Sequence, residues 1–431
     1  MNDSMRERVT ATALSRDPGA LAARLRAVRA TTRALVQPLS PEDCAIQSMP
    51  DASPAKWHLA HTTWFFETFI LDAANRARKP FHPAFKVLFN SYYNAVGDKH
   101  PRPQRGLLSR PSLDEVLAYR ASVEAELLEL LQRDALPPAA LALVELGTQH
   151  EQQHEELLLT DVKHMLSCNP LRPAYQKTWP LTAIRARTAR WIGFAAGERR
   201  IGFAGSGFAF DNEQPRHSVW LRDFEMASHP VSNGDFLAFI ADGGYTRPDL
   251  WLSAGWDLVN ARGWEAPQYW ERIGGNWHAF TLHGMVPVEP NTPACHLSFF
   301  EADAYARWAG ARLPTEAEWE VAAAYSPVEG NFLESGALHP LALREDPPQG
   351  ALAQAFGDVW EWTRSDYSPY PGFRPAPGAV GEYNGKFMCN QYVLRGGSCA
   401  TPGSHIRPTY RNFFPAEARW QFSGLRLARD A

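Results

Sequence analysis

Three histidines carry the sharpest chemistry in this sequence. His150-Glu-Gln-Gln-His154 sets two imidazoles four residues apart, and on a helix that spacing puts both on one face, a turn apart. Two histidines so placed are a common metal chelate, but the pair alone reads more simply as a polar helix face shared with Glu155 and Glu156. A third histidine changes the balance. In the stretch Trp57 to Thr68, the positions Trp57, His61, Trp64, Phe65 and Thr68 share one helical stripe. His61 therefore faces an apolar surface, where an imidazole without a partner is costly, while His58 falls off that stripe. A lone histidine there would read as a satisfied core residue. Three inward histidines on two helices instead predict a facial metal site with open coordination positions for substrate and oxygen or water. All-nitrogen ligation suits Fe(II) or Zn(II), and the spacing does not choose between them.

The elements that must position these residues are helices. Leu21, Leu25, Val28 and Leu35 recur at helical spacing between Pro18 and Pro38. A second helix is predicted from a Ser53 cap, with Pro54 at its first position, to about Asn75. A third starts at the capping box Ser112-Leu-Asp-Glu115 and runs to about Arg133. The fourth follows Pro137-Pro138 and ends at Asn169-Pro170. Four helices with one long loop, about residues 76–111, predict a helix bundle over residues 15–180. From residue 190 to 431 the texture changes. Short aromatic pieces (Trp191-Ile-Gly-Phe, Phe208-Ala-Phe, Val393-Leu-Arg-Gly-Gly) read as strands, and only Ser232–Ile240 and Ser298–Ala309 read as helices. That is an irregular α+β domain with long loops.

Composition narrows the function classes. With 43 basic and 47 acidic side chains, the net charge of -4 argues against a general nucleic-acid binder. No apolar run is long enough for a membrane helix, and no signal-peptide pattern opens the chain. Five scattered cysteines without CxxC spacing argue against a disulfide scaffold or a cysteine zinc site and predict a cytoplasmic protein. Fifteen tryptophans can build the aromatic walls that often surround small ligands.

At the level of motifs the chain resembles a known family. Ser53-Pro-Ala-Lys-Trp-His-Leu-Ala-His61 followed by His150-x3-His154-x-Glu156 resembles the N-terminal DinB-like domain of the ergothioneine-biosynthesis sulfoxide synthases (EgtB-type hercynine oxygenases). The second half resembles their formylglycine-generating-enzyme-like domain, which belongs to the C-type-lectin-like folds. The matching motifs are His229-Pro-Val-Ser-Asn, Ala304-Tyr-Ala-Arg-Trp-Ala, Arg312-Leu-Pro-Thr-Glu-Ala-Glu-Trp319, Gly357-Asp-Val-Trp-Glu-Trp362, Leu394-Arg-Gly-Gly-Ser398 and Ser423-Gly-Leu-Arg426. The resemblance spans nearly the whole chain.

It implies non-haem iron, Fe(2+), held by His61, His150 and His154. It also implies an O2-dependent coupling of the sulfur of cysteine or γ-glutamylcysteine to the imidazole C2 of hercynine (Nα-trimethylhistidine), with oxidation of that sulfur to a sulfoxide. Gln153 matches a residue that hydrogen-bonds hercynine; Asn412 and Phe413 match the residues that hold its betaine end, where aromatic faces suit a quaternary ammonium. In members using γ-glutamylcysteine, an aspartate and an arginine stand where this chain has Phe414 and Ala418. That departure favours cysteine or another small donor. Tyr92 and Tyr93, in the long bundle loop, match the tyrosine that donates a proton beside the iron, with packing of a domain interface as the plainer reading. Arg102 and Arg105 lie in the basic run Lys99–Arg105, which either grips a donor carboxylate or is merely exposed.

Several alternatives stay open. A true formylglycine-generating enzyme needs two cysteines soon after Arg-Gly-Gly-Ser, and only Cys399 follows it here. A DinB-type metal-dependent thiol transferase or hydrolase leaves the second domain unexplained. A lectin-like binding module leaves the histidines unexplained. A selenoneine synthase, taking a selenosugar as donor, is compatible with Phe414 and Ala418. Ovothiol synthases usually carry a further methyltransferase domain, for which no residues remain.

Overall fold

The computed structural model describes residues 17–180, 187–345, 347–348 and 350–431; residues 15 and 16 of the expected first domain lie outside them. The chain divides into two compact units. One contains residues up to Asp161 with the short segments Ala204–Ala209 and Gly378–Glu382. The other contains Val162–Phe203, Phe210–Pro377 and Tyr383–Ala431.

The first unit is helical. Its elements are α1 (Pro18–Val36), α2 (Ala55–Phe66), the short α3 (Asp72–Ala74) and α4 (Phe85–Leu88), α5 (Leu113–Gln132) and the start of the 31-residue α6 (Pro138–Cys168). The Asp17 carboxylate caps α1 by accepting the Ala20 N–H at 2.7 Å. The predicted capping box of α5 is present: Ser112 Oγ accepts from the Glu115 N–H, and Glu115 accepts from the Ser112 N–H. The start of α2 corrects the sequence reading. Pro54 is itself the cap residue and Ser53 caps nothing. Ser53 instead donates its N–H to Asp161 at 2.7 Å and accepts from Arg105 at 2.8 Å, tying the helix start into the bundle interior. Beyond Phe66 the helix widens into a π-helical turn, Glu67–Leu71, before α3.

A second correction concerns α2 as a whole. Every residue from Ala55 to Phe66 is buried, so α2 is a central helix with no solvent face, and a one-sided stripe understates what its other positions touch. Its polar residues are held by an ionic network that clamps the bundle. Glu151 of α6 pairs with Arg29 of α1 at 3.2 Å and Arg120 of α5 at 2.7 Å, and accepts from Thr32 at 2.8 Å. Arg29 and Arg120 also donate to Thr63 and Thr62 of α2, each at 3.1 Å. Burial pushes the Glu151 carboxyl up, but Arg120 and Arg29 outweigh it and hold it at about 2. Removing one partner of such a cluster strands a buried charge. Arg120→Met is expected to lose about 3–5 kcal/mol of stability, read from urea unfolding of the metal-free protein. A loss under 1 kcal/mol would mean the network is not what locks the helices.

The second unit is α+β. Its strands are β1 (Trp191–Phe194), β2 (Gly197–Ile201), β3 (His217–Leu221), β4 (Phe224–Ala227), β5 (Trp270–Ile273), β6 (Asn276–Thr281), β7 (Gly284–Pro287), β8 (Trp360–Asp366), β9 (Gln391–Arg395), β10 (Asn412–Pro415), β11 (Ser423–Gly424) and β12 (Ala428–Asp430). They form sheets in the orders β1-β4-β12, β10-β9-β8-β11, β2-β3 and β5-β6-β7. The helices are α7 (Asn233–Ala241), α8 (Ser253–Arg262), α9 (Phe299–Trp308) and α10 (Glu316–Ala323). Two of them, α8 and α10, were not expected from the sequence. Phe208-Ala-Phe is not a strand; it leads into a 3-10 turn at Asp211–Glu213, closed by Glu213 accepting the Phe210 N–H at 2.8 Å. The motif residues brace this unit from inside. Glu361 accepts from Arg426 at 2.6 Å and from Trp319 at 2.7 Å, and all three are fully buried. No helix among the described residues is long and apolar enough to cross a membrane.

Candidate metal centre

His61 comes from the middle of α2, and His150 and His154 from successive turns of α6. The close approach of those helices is set by Gly147, one turn before His150. A Cβ added there would meet a Phe66 ring carbon at 2.4 Å and a Phe65 ring carbon at 3.1 Å, so only glycine lets α6 lie this near α2. Among the described residues, His61, His150 and His154 are the one group of three or more His, Cys, Asp or Glu that could hold a metal ion, with ligand atoms all within 4.8 Å of one another. Their ring centroids are separated by 5.0, 4.8 and 4.6 Å. Nitrogens bound to one ion at about 2.1 Å lie roughly 3–3.5 Å apart, somewhat closer than the 4.8 Å within which these ligand atoms fall.

The surroundings single out the nitrogen that His61 and His154 present. His61 Nδ1 lies 2.6 Å from the Phe89 carbonyl, which only accepts. Nδ1 therefore carries the proton and Nε2 holds the lone pair, and that buried Nε2 has no hydrogen-bond partner among the described residues. His154 Nδ1 is engaged by His58 at 2.8 Å, which leaves its Nε2 for a metal. Burial pushes the His61 and His154 imidazoles well below the usual histidine range, and the neighbouring His150 adds to it. Burial likewise pushes His150 down to about 4. Three neutral, desolvated imidazoles suit a divalent cation, and the buried, unpartnered Nε2 of His61 fits that role.

An aromatic wall encloses the group. Trp57 stacks on His61 at 4.5 Å and Trp64 at 5.6 Å, and Phe65 packs on His150 at 5.0 Å. Tyr93 is buried beside Trp64, 5.6 Å from its ring, and its ring lies 5.2 Å from Phe69. Burial pushes the Tyr93 phenol well up, so it keeps its proton at neutral pH. Tyr92 is half-buried, with its ring 4.7 Å from that of Tyr93.

The two arginines of the basic run part company. Arg102 is exposed and donates to the Asp51 carbonyl. Arg105 is buried, its guanidinium 3.4 Å from the Trp57 ring and one nitrogen on Ser53, while its Nε has no partner among the described residues. Burial, reinforced by Arg102, pushes that guanidinium down to about 9. Gln153 is half-buried on α6. In the second unit, Asn412, Phe413 and Phe414 lie half-buried on β10, paired with β9. Phe413 stacks on Tyr367 at 4.0 Å and lies 5.9 Å from Phe387. Asn412 accepts the Phe413 N–H, and Phe414 meets the edge of Trp420. Ala418 is fully buried.

The residue that sequence reasoning passed over is His58. It is 2% exposed, with Nδ1 on His154 and Nε2 3.0 Å from Asp161. The available signal was Asp161 itself, seven residues after His154 and so two turns along the same face of α6.

Comparison with known proteins agrees with this architecture. Residues 24–158 match the DinB superfamily, and residues 179–345 and 345–431 match the sulfatase-modifying factor enzyme 1-like domain. The hercynine oxygenase of Mycobacterium tuberculosis is 35% identical over 435 residues, covering 96% of this chain and 99% of its own. That of Mycolicibacterium thermoresistibile is 35% identical over 411 residues, with 88% of each chain covered. The formylglycine-generating enzyme of Streptomyces coelicolor is 32% identical, but the match reaches only 58% of this chain while covering 93% of that enzyme. A buried three-histidine group on a DinB-like bundle, joined to a sulfatase-modifying-factor-like domain, is an enzyme architecture, and by its full-length likeness this chain belongs to the hercynine oxygenase family.

Proposed function

We propose that the protein is a non-haem iron, O2-dependent sulfoxide synthase that joins the sulfur of cysteine to C2 of the hercynine imidazole. The observation that carries this reading is the buried trio His61, His150 and His154, with a buried Nε2 on His61 that no group among the described residues satisfies. Iron bound there would supply O2 activation and a cation able to hold a thiolate. The balance is simple: the thiol loses its S–H hydrogen and hercynine its C2–H, one oxygen atom ends on sulfur and the other leaves as water.

The chain's own residues do the rest. Trp57, Trp64 and Phe65 exclude water from the histidine group. Tyr92 and Tyr93 are proposed as the proton source, Tyr93 holding its proton by burial. Gln153 is proposed to hydrogen-bond hercynine, with Asn412 and the stacked Phe413 taking its betaine end. Phe414 and Ala418 offer no charge to a γ-glutamyl group. We assign the metal-carrying domain to residues 15–180 and the second domain to residues 190–431, and place the reaction in the cytoplasm, where the thiols stay reduced.

Arg105 is proposed to hold the donor carboxylate, since a buried guanidinium with an unpartnered Nε wants an anion; the exposed Arg102 is not placed in that contact. Arg105→Leu is expected to raise KM for cysteine about 10–100-fold, the equivalent of one charge-assisted hydrogen bond of about 1.5–3 kcal/mol. KM for cysteamine, which lacks a carboxylate, should stay unchanged. Equal losses for both donors would remove Arg105 from that role.

The test of the function is oxygen uptake by iron-loaded protein given hercynine and a donor together. Consumption that needs both substrates, and vanishes with zinc, is the expected result. Uptake with a selenosugar but with no thiol would make the protein a selenoneine synthase instead. No uptake with any donor would point to a metal-dependent thiol transferase.

A further inference from the structure

We propose that His58 and Asp161 form a relay that orients His154 and selects the tautomer of its ring, so that Nε2 of His154 is the nitrogen offered to the metal. The inference rests on the three-histidine reading above. Its residues come from both helices of the site: His58 lies on α2, one turn before His61, and Asp161 on α6, two turns beyond His154. The chain of contacts is continuous. His154 Nδ1 is 2.8 Å from His58 Nδ1, and His58 Nε2 is 3.0 Å from Asp161 Oδ2. Asp161 is itself fixed from outside the relay, accepting the Ser53 N–H at 2.7 Å. All three members of the relay are buried, His58 at 2% and Asp161 at 6% exposure.

The direction of the protons follows from what each group can do. A carboxylate only accepts, so His58 Nε2 must carry hydrogen. A neutral His58 then has a bare Nδ1, which must accept from His154. His154 Nδ1 therefore carries the hydrogen and its Nε2 holds the lone pair, the form a metal ligand needs. The reverse arrangement, His58 donating from Nδ1, would put the hydrogen on His154 Nε2 and block ligation. Asp161 favours the productive arrangement because it cannot donate, and the Ser53 N–H keeps its oxygen in place. His61 reaches the same end by a shorter route, through the Phe89 carbonyl.

This makes His58 and Asp161 positioning residues, tested on metal binding rather than on turnover. Apoprotein is titrated with Co(II), reading both the dissociation constant and the visible ligand-field spectrum. His58→Leu is expected to bind cobalt 10–100-fold more weakly, the usual effect of losing a partner behind a ligating histidine, and to show an altered spectrum. His58→Asn puts an amide oxygen near the place of Nδ1 and is expected to recover most of the affinity. Asp161→Asn, nearly isosteric, can donate as well as accept. It is expected to weaken binding about 10-fold, and it carries the test if His58→Leu does not fold. Unchanged affinity and spectrum in folded His58→Leu, or in Asp161→Asn, would overturn the relay while leaving the three-histidine site intact. Failure of wild-type protein to bind cobalt would overturn the site itself.

Discussion

Replacing His61 with alanine is expected to abolish stoichiometric iron binding and, with it, all coupling of thiol to hercynine. Four-ligand protein zinc sites bind with roughly 10–16 kcal/mol, or about 3 kcal/mol per ligand, so losing one of three imidazoles should weaken affinity by on the order of 10²–10³-fold. His61 is the most informative of the three. Its Nδ1 is already spent on Phe89 and its Nε2 has no partner among the described residues, so no structural use there accounts for a fully buried polar atom. His61→Ala also strands the Phe89 carbonyl and opens a cavity, so iron content must be compared on protein shown to be folded. Retained stoichiometric iron with near-wild-type affinity would remove His61 from the ligand set.

The second large effect belongs to the tyrosine pair. A positioned acid is worth about 10²–10⁴-fold in rate. The Tyr92→Phe, Tyr93→Phe double variant should therefore lose coupling by that factor, while oxygen is diverted into plain oxidation of the donor sulfur. The readout is the ratio of coupled to uncoupled sulfur product, which a packing defect would not shift because it would slow both. Single variants divide the role. Tyr93, buried against Trp64 with its phenol pushed well up, holds a proton that is hard to lose to solvent, whereas Tyr92 is half-buried and more readily exchanged. An unchanged product ratio in the double variant would assign both rings to packing.

Much of the site is written in local spacing, which is why it can be read without coordinates. His150 and His154 are one turn apart on a helix whose ends are marked by Pro137-Pro138 and Asn169-Pro170, and the capping box at Ser112 places α5. What escaped the reading depends on tertiary context. The stripe argument assumes a helix with a wet side. Because α2 is buried all round, His58 turned out to be as deep as His61, and Ser53 was drawn away from capping toward Asp161 and Arg105. Helix α10 is only eight residues long, too short for periodicity to show. Yet its start was signalled by Thr315 and Glu318, which do form a capping box. Phe208-Ala-Phe has the composition of a strand, but a strand needs a neighbour to accept its hydrogen bonds, and the backbone at Phe210 is taken by Glu213. The split between Arg102 and Arg105 is likewise invisible in a basic run, since only folding decides which side chain turns inward over Trp57.

The most direct test of the central claim uses isotopic oxygen. Iron-loaded protein is mixed with hercynine and cysteine without air, 18O2 is admitted, and the products are resolved by mass. The account predicts a hercynine–cysteine sulfoxide carrying one labelled oxygen atom, formed by wild type and lost in the His61, His150 and His154 variants. Hercynine recovered unchanged from protein that holds a full complement of iron, whether the donor offered is cysteine, γ-glutamylcysteine or a selenosugar, would contradict it.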